Sequence, residues 1–166
     1  MQIKQIAYIR SDFVEKFGIP RQSNLADTRA EIHFLPEYQN ADALREIEAY
    51  DYLWLIWEFS ESIRDTWSPT VRPPRLGGNR RVGVFATRSP NRPNHLGITT
   101  VKLKKREGNK LYVEGADALN GSPVLDLKCC DTSVYEQENI HNAIRVDSPR
   151  IDIVRNILSN ETKELL

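Results

Sequence analysis

Strand-like runs at short spacing, broken by connections rich in Gly, Pro and Asn, predict a mainly β fold, a small β-barrel with one or two short helices. Two further observations narrow the choice. The chain has 166 residues, a length suited to one core. Its helical signals are few and do not alternate with strands, as parallel β-α units would require.

The elements follow in chain order. Residues 2–9 read as a first strand, and a polar loop follows through Gly18-Ile-Pro-Arg-Gln22. Ala30-Glu-Ile-His-Phe34 alternates apolar and polar, the pattern of a half-buried strand. Asn40 is placed to cap a short helix in which Ala41, Leu44 and Ile47 share a face and Asp42 favours the first turn. Tyr52-Leu-Trp-Leu-Ile-Trp57 is apolar throughout, which predicts a central strand covered on both faces. Further strands are expected over 82–86, 98–103, 110–114 and 124–127. Ser148 and Pro149 form an N-cap and first-turn proline, and Ile151, Val154, Ile157 and Leu158 continue as an apolar helical stripe. The barrel is therefore assigned to residues 1–147 and a C-terminal helix packing on it to 148–166.

Composition excludes several classes. No run nears the roughly 18 apolar residues of a membrane-spanning helix. The start, Met1-Gln-Ile-Lys-Gln5, lacks the basic-then-apolar layout of a signal peptide. Cys129 and Cys130 are neighbours and cannot form an ordinary bridge with each other, so a reducing, cytoplasmic setting is expected. Three scattered histidines and one cysteine doublet argue against a metal site. The chain carries no G-x-G-x-x-G, Walker, H-E-x-x-H, C-x-x-C or G-x-S-x-G motif.

Net charge is zero, with 23 basic and 23 acidic residues, yet the charges are segregated. Between Asp27 and Asp65 ten acidic residues face three basic ones. Between Val71 and His95 stand six arginines, Arg72, Arg75, Arg80, Arg81, Arg88 and Arg92, with no Asp, Glu or Lys. Arginine without lysine favours bidentate recognition of phosphate or carboxylate. Arg72, Arg75, Arg80 and Arg81 flank a Gly-Gly turn. With Arg92 they are assigned to RNA phosphates, the competing assignment being ion pairs with the acidic 27–65 segment.

The most informative segment is Val82-Gly-Val-Phe-Ala-Thr-Arg-Ser-Pro-Asn-Arg-Pro-Asn-His-Leu-Gly97. A strand delivers Thr87, Arg88 and Ser89 to a loop stiffened by Pro90 and Pro93, as suits a preorganised polar pocket. His95 in that loop is read as structural. Asp117-Ala-Leu-Asn-Gly-Ser-Pro-Val-Leu-Asp126 is a second polar loop, whose Asn-Gly is a turn dipeptide.

The runs Pro73-Pro-Arg-Leu-Gly-Gly-Asn79, Gly83-Val-Phe-Ala-Thr-Arg-Ser-Pro-Asn-Arg-Pro-Asn94 and Leu119-Asn-Gly-Ser-Pro-Val-Leu-Asp-Leu-Lys128 resemble the tRNA (adenine-37-N6)-methyltransferase family, with its TsaA-like domain. Phe17-Gly-Ile-Pro-Arg-Gln22 and the Trp-rich strand before Phe59 fit it too. The resemblance spans about residues 1–130. It implies a non-Rossmann β-barrel methyltransferase that uses S-adenosyl-L-methionine to methylate N6 of threonylcarbamoyladenosine beside the tRNA anticodon. It also implies a homodimer with the cofactor site near the subunit interface. Carried onto this chain, the cofactor would be held by Pro20, Arg21 and Gln22, by Ser60 and Glu61, by Arg88, by the main chain around Thr100, and by Asp117, Ala118, Leu119 and Asn120. The group accepting the N6 proton is left open, Asp117 being one candidate with a competing role in holding the cofactor.

The chain departs from the family pattern in three places. Asn120 and Ser122 stand in a loop that reads Leu-Asp-Gly-Thr-Pro in the family, and Lys128-Cys129-Cys130 replaces Lys-Pro-Tyr. The sequence also stops at Leu166, short of the extra C-terminal domain of many bacterial members. Two other readings remain: a methyltransferase of the same fold acting on another RNA or a small molecule, and a non-enzymatic RNA- or phosphate-binding module. Trp54, Trp57 and Trp67 are expected to supply aromatic surface for a dimer contact. One of Cys129 and Cys130 is expected to face inward and the other outward, neither with a chemical role.

Overall fold

Six strands close into an antiparallel barrel in the computed structural model, which describes residues 2–15, 19, 28–73 and 77–130. They are β1 (Ala7–Ser11), β2 (Arg29–Phe34), β3 (Tyr52–Glu58), β6 (Leu96–Glu107), β7 (Lys110–Glu114) and β8 (Pro123–Cys129), in the spatial order β1-β2-β7-β6-β3-β8. A separate two-stranded ribbon pairs β4 (Thr70–Val71) with β5 (Val82–Gly83). By contact density the chain divides into two units, Met1–Glu136 and Gln137–Leu166. The helix expected over 148–166 lies outside the described residues.

Period-two alternation fills the barrel. Ile9, Ile32, Leu53, Leu55, Val101, Leu111 and Val124 all lie inside with no exposed surface. Burying each such side chain contributes roughly 1.5–3 kcal/mol. Ala7, Ala30, Phe34 and Trp57 belong to the same core, with Ala7 opposite Phe34 in the β1–β2 register.

Several sequence expectations need correction. The strand over 52–57 is covered on one face, not two: Leu53, Leu55 and Trp57 point in, while Trp54 and Ile56 are half-buried on the outer face. The first strand begins at Ala7, although the Ile6 amide still donates to the Val124 carbonyl at 2.8 Å. The strand over 82–86 ends at Gly83, and Val84–Ala86 is a 3₁₀ turn. Local donors capture the Val84 carbonyl: the Thr87 amide at 3.1 Å, the Thr87 hydroxyl at 2.7 Å and Arg92 Nη2 at 3.2 Å. Ladder pairing loses that competition.

Asn40 does cap, accepting from the Asp42 amide at 2.9 Å, but the helix breaks into 3₁₀ turns Ala41–Leu44 and Ile47–Ala49. Arg106 takes the Leu44 carbonyl at 2.8 Å, and Glu46 between the turns is left-handed (φ 63°). Among the described residues helical structure is confined to such turns of three or four residues. Of the three tryptophans, Trp57 belongs to the core, Trp54 is half-buried and Trp67 is exposed, so Trp57 is removed from any interface. Cys129 is exposed and Cys130 buried, as the alternation predicts.

The two ends of the barrel differ. At one end the β6–β7 hairpin carries a titratable cluster, in which Glu107 accepts from Lys105 at 2.6 Å and from Tyr112 at 2.8 Å. The hydrogen bond from Lys105, then that from Tyr112, holds the Glu107 carboxyl below its ordinary range, and the same bonds raise Lys105 and Tyr112. The opposite end gathers the polar loops.

Candidate functional site

β1, β3 and β7 end, and β2, β6 and β8 begin, at this second end of the barrel. Three connections therefore converge there: residues 12–28, the stretch from 59 through the ribbon to 95, and 115–122. Hydrogen bonds stitch them together. Phe59 donates to the His95 carbonyl (2.8 Å), joining the exit of β3 to the entry of β6. Gly115 donates to the Thr28 carbonyl (2.8 Å), and the Thr28 hydroxyl donates to Ala116 (2.8 Å). The Ser11 hydroxyl donates to Ala118 (3.0 Å). Asn120 works in both directions, accepting from the Ser11 amide (3.2 Å) and donating its own amide to Phe13 (2.8 Å). An amide serves this bracing role without the carboxylate of the family pattern.

Inside the mouth a directional chain of hydrogen bonds ends on a carboxylate. Trp57 Nε1 donates to Thr99 Oγ1 at 3.0 Å, and Thr99 Oγ1 donates to Asp117 Oδ1 at 2.5 Å. A hydroxyl has one proton, so a Thr99 oxygen that accepts from the indole must donate onward. Thr99 is 1% exposed, while Asp117 is half-buried at the rim. Its carboxylate is thus held by one oxygen and presents the other. Neither Thr99 nor Trp57 stood out in the sequence as part of a site. The signal was the inward phase of a threonine in a strand, which demands a buried partner.

β6 pairs with β7 only from Lys102 onward, so its first half, residues 96–101, is strand-paired on the β3 side alone. Arg88 reaches this edge and donates to the Ile98 carbonyl. The edge includes the main chain at Thr100, whose side chain is on the outer face. With no second strand along residues 96–101, main-chain groups of this edge can meet a planar ligand. Ser60 and Glu61 lie in the 3₁₀ turn Ser60–Ser62 directly after β3 and are exposed. Asp117, Ala118, Leu119 and Asn120 line the third connection. Pro20, Arg21 and Gln22 lie outside the described residues.

The arginines divide by environment. Arg72 and Arg80 are exposed, and Arg81 is exposed with Nη1 on the Thr70 hydroxyl at 3.2 Å. Between them Gly77 and Gly78 both take positive φ (75° and 71°), a pair that glycine adopts without strain. Arg75 lies outside the described residues. Arg92 is placed differently from the others: half-buried, it spans the Val84 and Thr87 carbonyls with Nη2 (3.2 and 2.9 Å) and shapes the loop that presents Arg88.

Comparison with known proteins decides the family. Residues 8–133 match the family described as the tRNA-methyltransferase O N-terminal domain. The chain belongs to that family. It is 46% identical over 132 residues to the tRNA (adenine(37)-N6)-methyltransferase of Escherichia coli strain K12, covering 76% of this chain and 56% of the relative. It is 38% identical over 128 residues to an Archaeoglobus fulgidus protein named "Probable S-adenosyl-L-methionine-binding protein", covering 77% of this chain and 33% of that one. Among solved structures, that of TrmO from Pseudomonas aeruginosa superposes with a TM-score of 0.73 at 34% identity, covering 90% of this chain and 64% of the other. This chain thus spans little more than half the length of the E. coli relative. The family match runs from the second residue of β1 past the end of β8 and includes the three connections at the mouth. Among the described residues no helix is long and apolar enough to cross a membrane, and no three His, Cys, Asp or Glu residues gather as a metal site.

Proposed function

We propose that this chain transfers a methyl group from S-adenosyl-L-methionine to N6 of adenosine 37 of tRNA, in its threonylcarbamoyl-modified form. The observation that carries the reading is the family match over residues 8–133, which takes in the barrel mouth where Arg88, Asp117 and the open β6 edge converge. The donor set fits the cofactor: a guanidinium for a carboxylate, a braced carboxylate for an ammonium or ribose hydroxyls, and main-chain groups near Thr100 for an adenine edge. Ser60, Glu61, the 118–120 loop and the Pro20-Arg21-Gln22 segment complete the proposed walls.

When bound, S-adenosyl-L-methionine supplies an electrophilic methyl on a sulfonium sulfur. The chain's own contribution is chiefly positional. Holding N6 in line with that methyl and excluding water contributes roughly 7–11 kcal/mol to lowering the barrier. Thr99 fixes Asp117 Oδ1, so Oδ2 is the atom that accepts from a ligand, whether the cofactor or the N6 proton. Calorimetry with S-adenosyl-L-methionine separates either enzyme from a binding module. Methyl incorporation into tRNA from cells lacking the endogenous activity then separates the tRNA enzyme from one acting elsewhere. Absence of incorporation despite cofactor binding refutes the tRNA reading.

The arginines supply a second test. Each phosphate contact adds roughly −0.7 to −0.9 to the slope of log affinity against log salt. Arg80→Ala is expected to weaken tRNA binding and flatten that slope by about one unit, leaving cofactor affinity near wild type. Arg88→Ala is expected to do the reverse, removing a charge-assisted contact worth roughly 1.5–3 kcal/mol. Unchanged tRNA affinity and slope in Arg80→Ala would return the loop to an ion-pairing role with the acidic 27–65 segment.

The same reading has the protein working as a homodimer in the cytoplasm. Its contact is placed on the outer face of β3 and β6. There Ile56 stands opposite Ile98 in register, flanked by Trp54 and Tyr52, and Ile98 is 46% exposed. Sedimentation is expected to show a dimer that Ile98→Glu dissociates; a monomer at tens of micromolar wild-type protein removes the dimer.

A further inference from the structure

One aromatic pair is used by neither the core nor the proposed cofactor site. Trp67 and Phe85 are 47% and 76% exposed and stack on each other, ring centroids 6.0 Å apart and planes 28° from parallel. Leaving two large apolar rings in water is unfavourable unless a partner covers them. They are also held in place. The Ser68 hydroxyl donates to Thr70 at 2.6 Å, fixing the residue after Trp67. Val84, 1% exposed, anchors the turn carrying Phe85 and donates its amide to Pro69 at 3.0 Å. The pair therefore sits at the open end of the β4–β5 ribbon, whose other end continues into the loop with exposed Arg72, Arg80 and Arg81.

We infer that Trp67 and Phe85 form a stacking platform for an unpaired RNA base, next to the nucleotide that enters the barrel mouth. The inference rests on the proposed tRNA substrate and names where that substrate is gripped. Charge complementarity commits it to RNA. From Thr66 to Arg106 the sequence contains no Asp or Glu, so the segment that carries both rings and the arginine loop bears only cationic and neutral side chains, exposed Asp65 being the acid nearest to Trp67 in sequence. Every base has a π-face, and aromatic rings beside arginines are the means by which single-stranded RNA is held without base pairing. A second copy of the chain fits this face less well. A two-fold contact centred on it would set two copies of an acid-free, arginine-bearing segment against each other.

The test uses the full chain with Trp67→Ala and Phe85→Ala, and a tRNA anticodon stem-loop carrying threonylcarbamoyladenosine at position 37 as the probe in anisotropy titrations across a salt series. Each variant is expected to lose about 5- to 100-fold in affinity at every salt concentration, with an unchanged salt slope, because stacking releases no counterions. Trp67→Phe, which keeps a ring, is expected to recover most of the loss. Cofactor affinity by calorimetry is expected to stay at the wild-type value in all three. If the wild type binds the stem-loop and both alanine variants bind it equally well, the platform is refuted and the methyltransferase reading stands. If the alanine variants keep their RNA affinity but sediment as a smaller species, the rings belong to a contact between copies and the inference is overturned. A wild-type protein that binds cofactor but no RNA overturns both.

Discussion

Gly97→Ala is expected to destabilise the barrel by roughly 1–3 kcal/mol, the range for overpacking a filled core. Gly97 stands directly opposite Trp57 in the β3–β6 register. A Cβ there would lie 2.5 Å from Cε2, 2.8 Å from Cζ2 and 2.9 Å from Cδ2 of the indole, inside contact distance for all three. The ring has little freedom to withdraw. Phe59 packs edge-on to it at 4.5 Å, and its Nε1 is committed to Thr99. Replacing glycine by alanine in a strand recovers roughly 0.5–1 kcal/mol of backbone entropy, which is too little to offset the clash. A urea melt reads the outcome as a lowered midpoint at unchanged slope. A midpoint at or above wild type would mean that Trp57 is not locked as described.

That pairing marks where the sequence was legible and where it was not. Alternation over 30–34 and 110–114 located β2 and β7 closely, because half-buried strands carry a period-two signal. The all-apolar 52–57 run misled about its second face. On the outside of a barrel, Trp54 and Ile56 are covered only in part, and apolar character alone does not separate that surface from a core. The short helix after Asn40 was undone from 62 residues away, by Arg106 on the Leu44 carbonyl. The strand through 84–86 was lost to donors clustered on one carbonyl. Neither competition has a local signature.

The site divides in the same way. Its loops were visible as Pro- and Asn-rich runs, and the resemblance supplied roles that spacing could not. Arg72, Arg75, Arg80, Arg81 and Arg92 read alike as charges in one acid-free segment. Only the fold separates Arg92, braced on two carbonyls, from Arg72 and Arg80 in solvent. Asp117 was singled out by its loop, whereas the side chain that aims it comes from a strand 18 residues earlier. Such a partner emerges only when register brings β6 beside the 115–122 connection.

Thr99→Val is expected to have the larger functional effect of the two substitutions. The change nearly preserves volume but deletes the hydroxyl that receives Trp57 Nε1 and donates to Asp117 Oδ1. A buried indole N–H is then left without an acceptor, at roughly 1–3 kcal/mol, and Asp117 loses the donor that fixes it. In a chain of this length each kcal/mol lowers Tm by about 2–4 °C. Stability alone does not prove a role at the site, so two companion variants separate the effects. Trp57→Phe removes the indole donor while leaving the Thr99–Asp117 bond, and is expected to lower Tm yet keep S-adenosyl-L-methionine affinity within a few-fold of wild type. Thr99→Ser restores the hydroxyl and is expected to recover both properties in large part. Thr99→Val itself is expected to weaken cofactor binding or turnover by about tenfold or more, as loss of a positioning contact of roughly 1.4 kcal/mol implies. Were Thr99→Val to bind the cofactor and methylate tRNA like Thr99→Ser, Asp117 would be a structural rim residue and the proposed cofactor wall would have to be redrawn around Arg88 and the β6 edge.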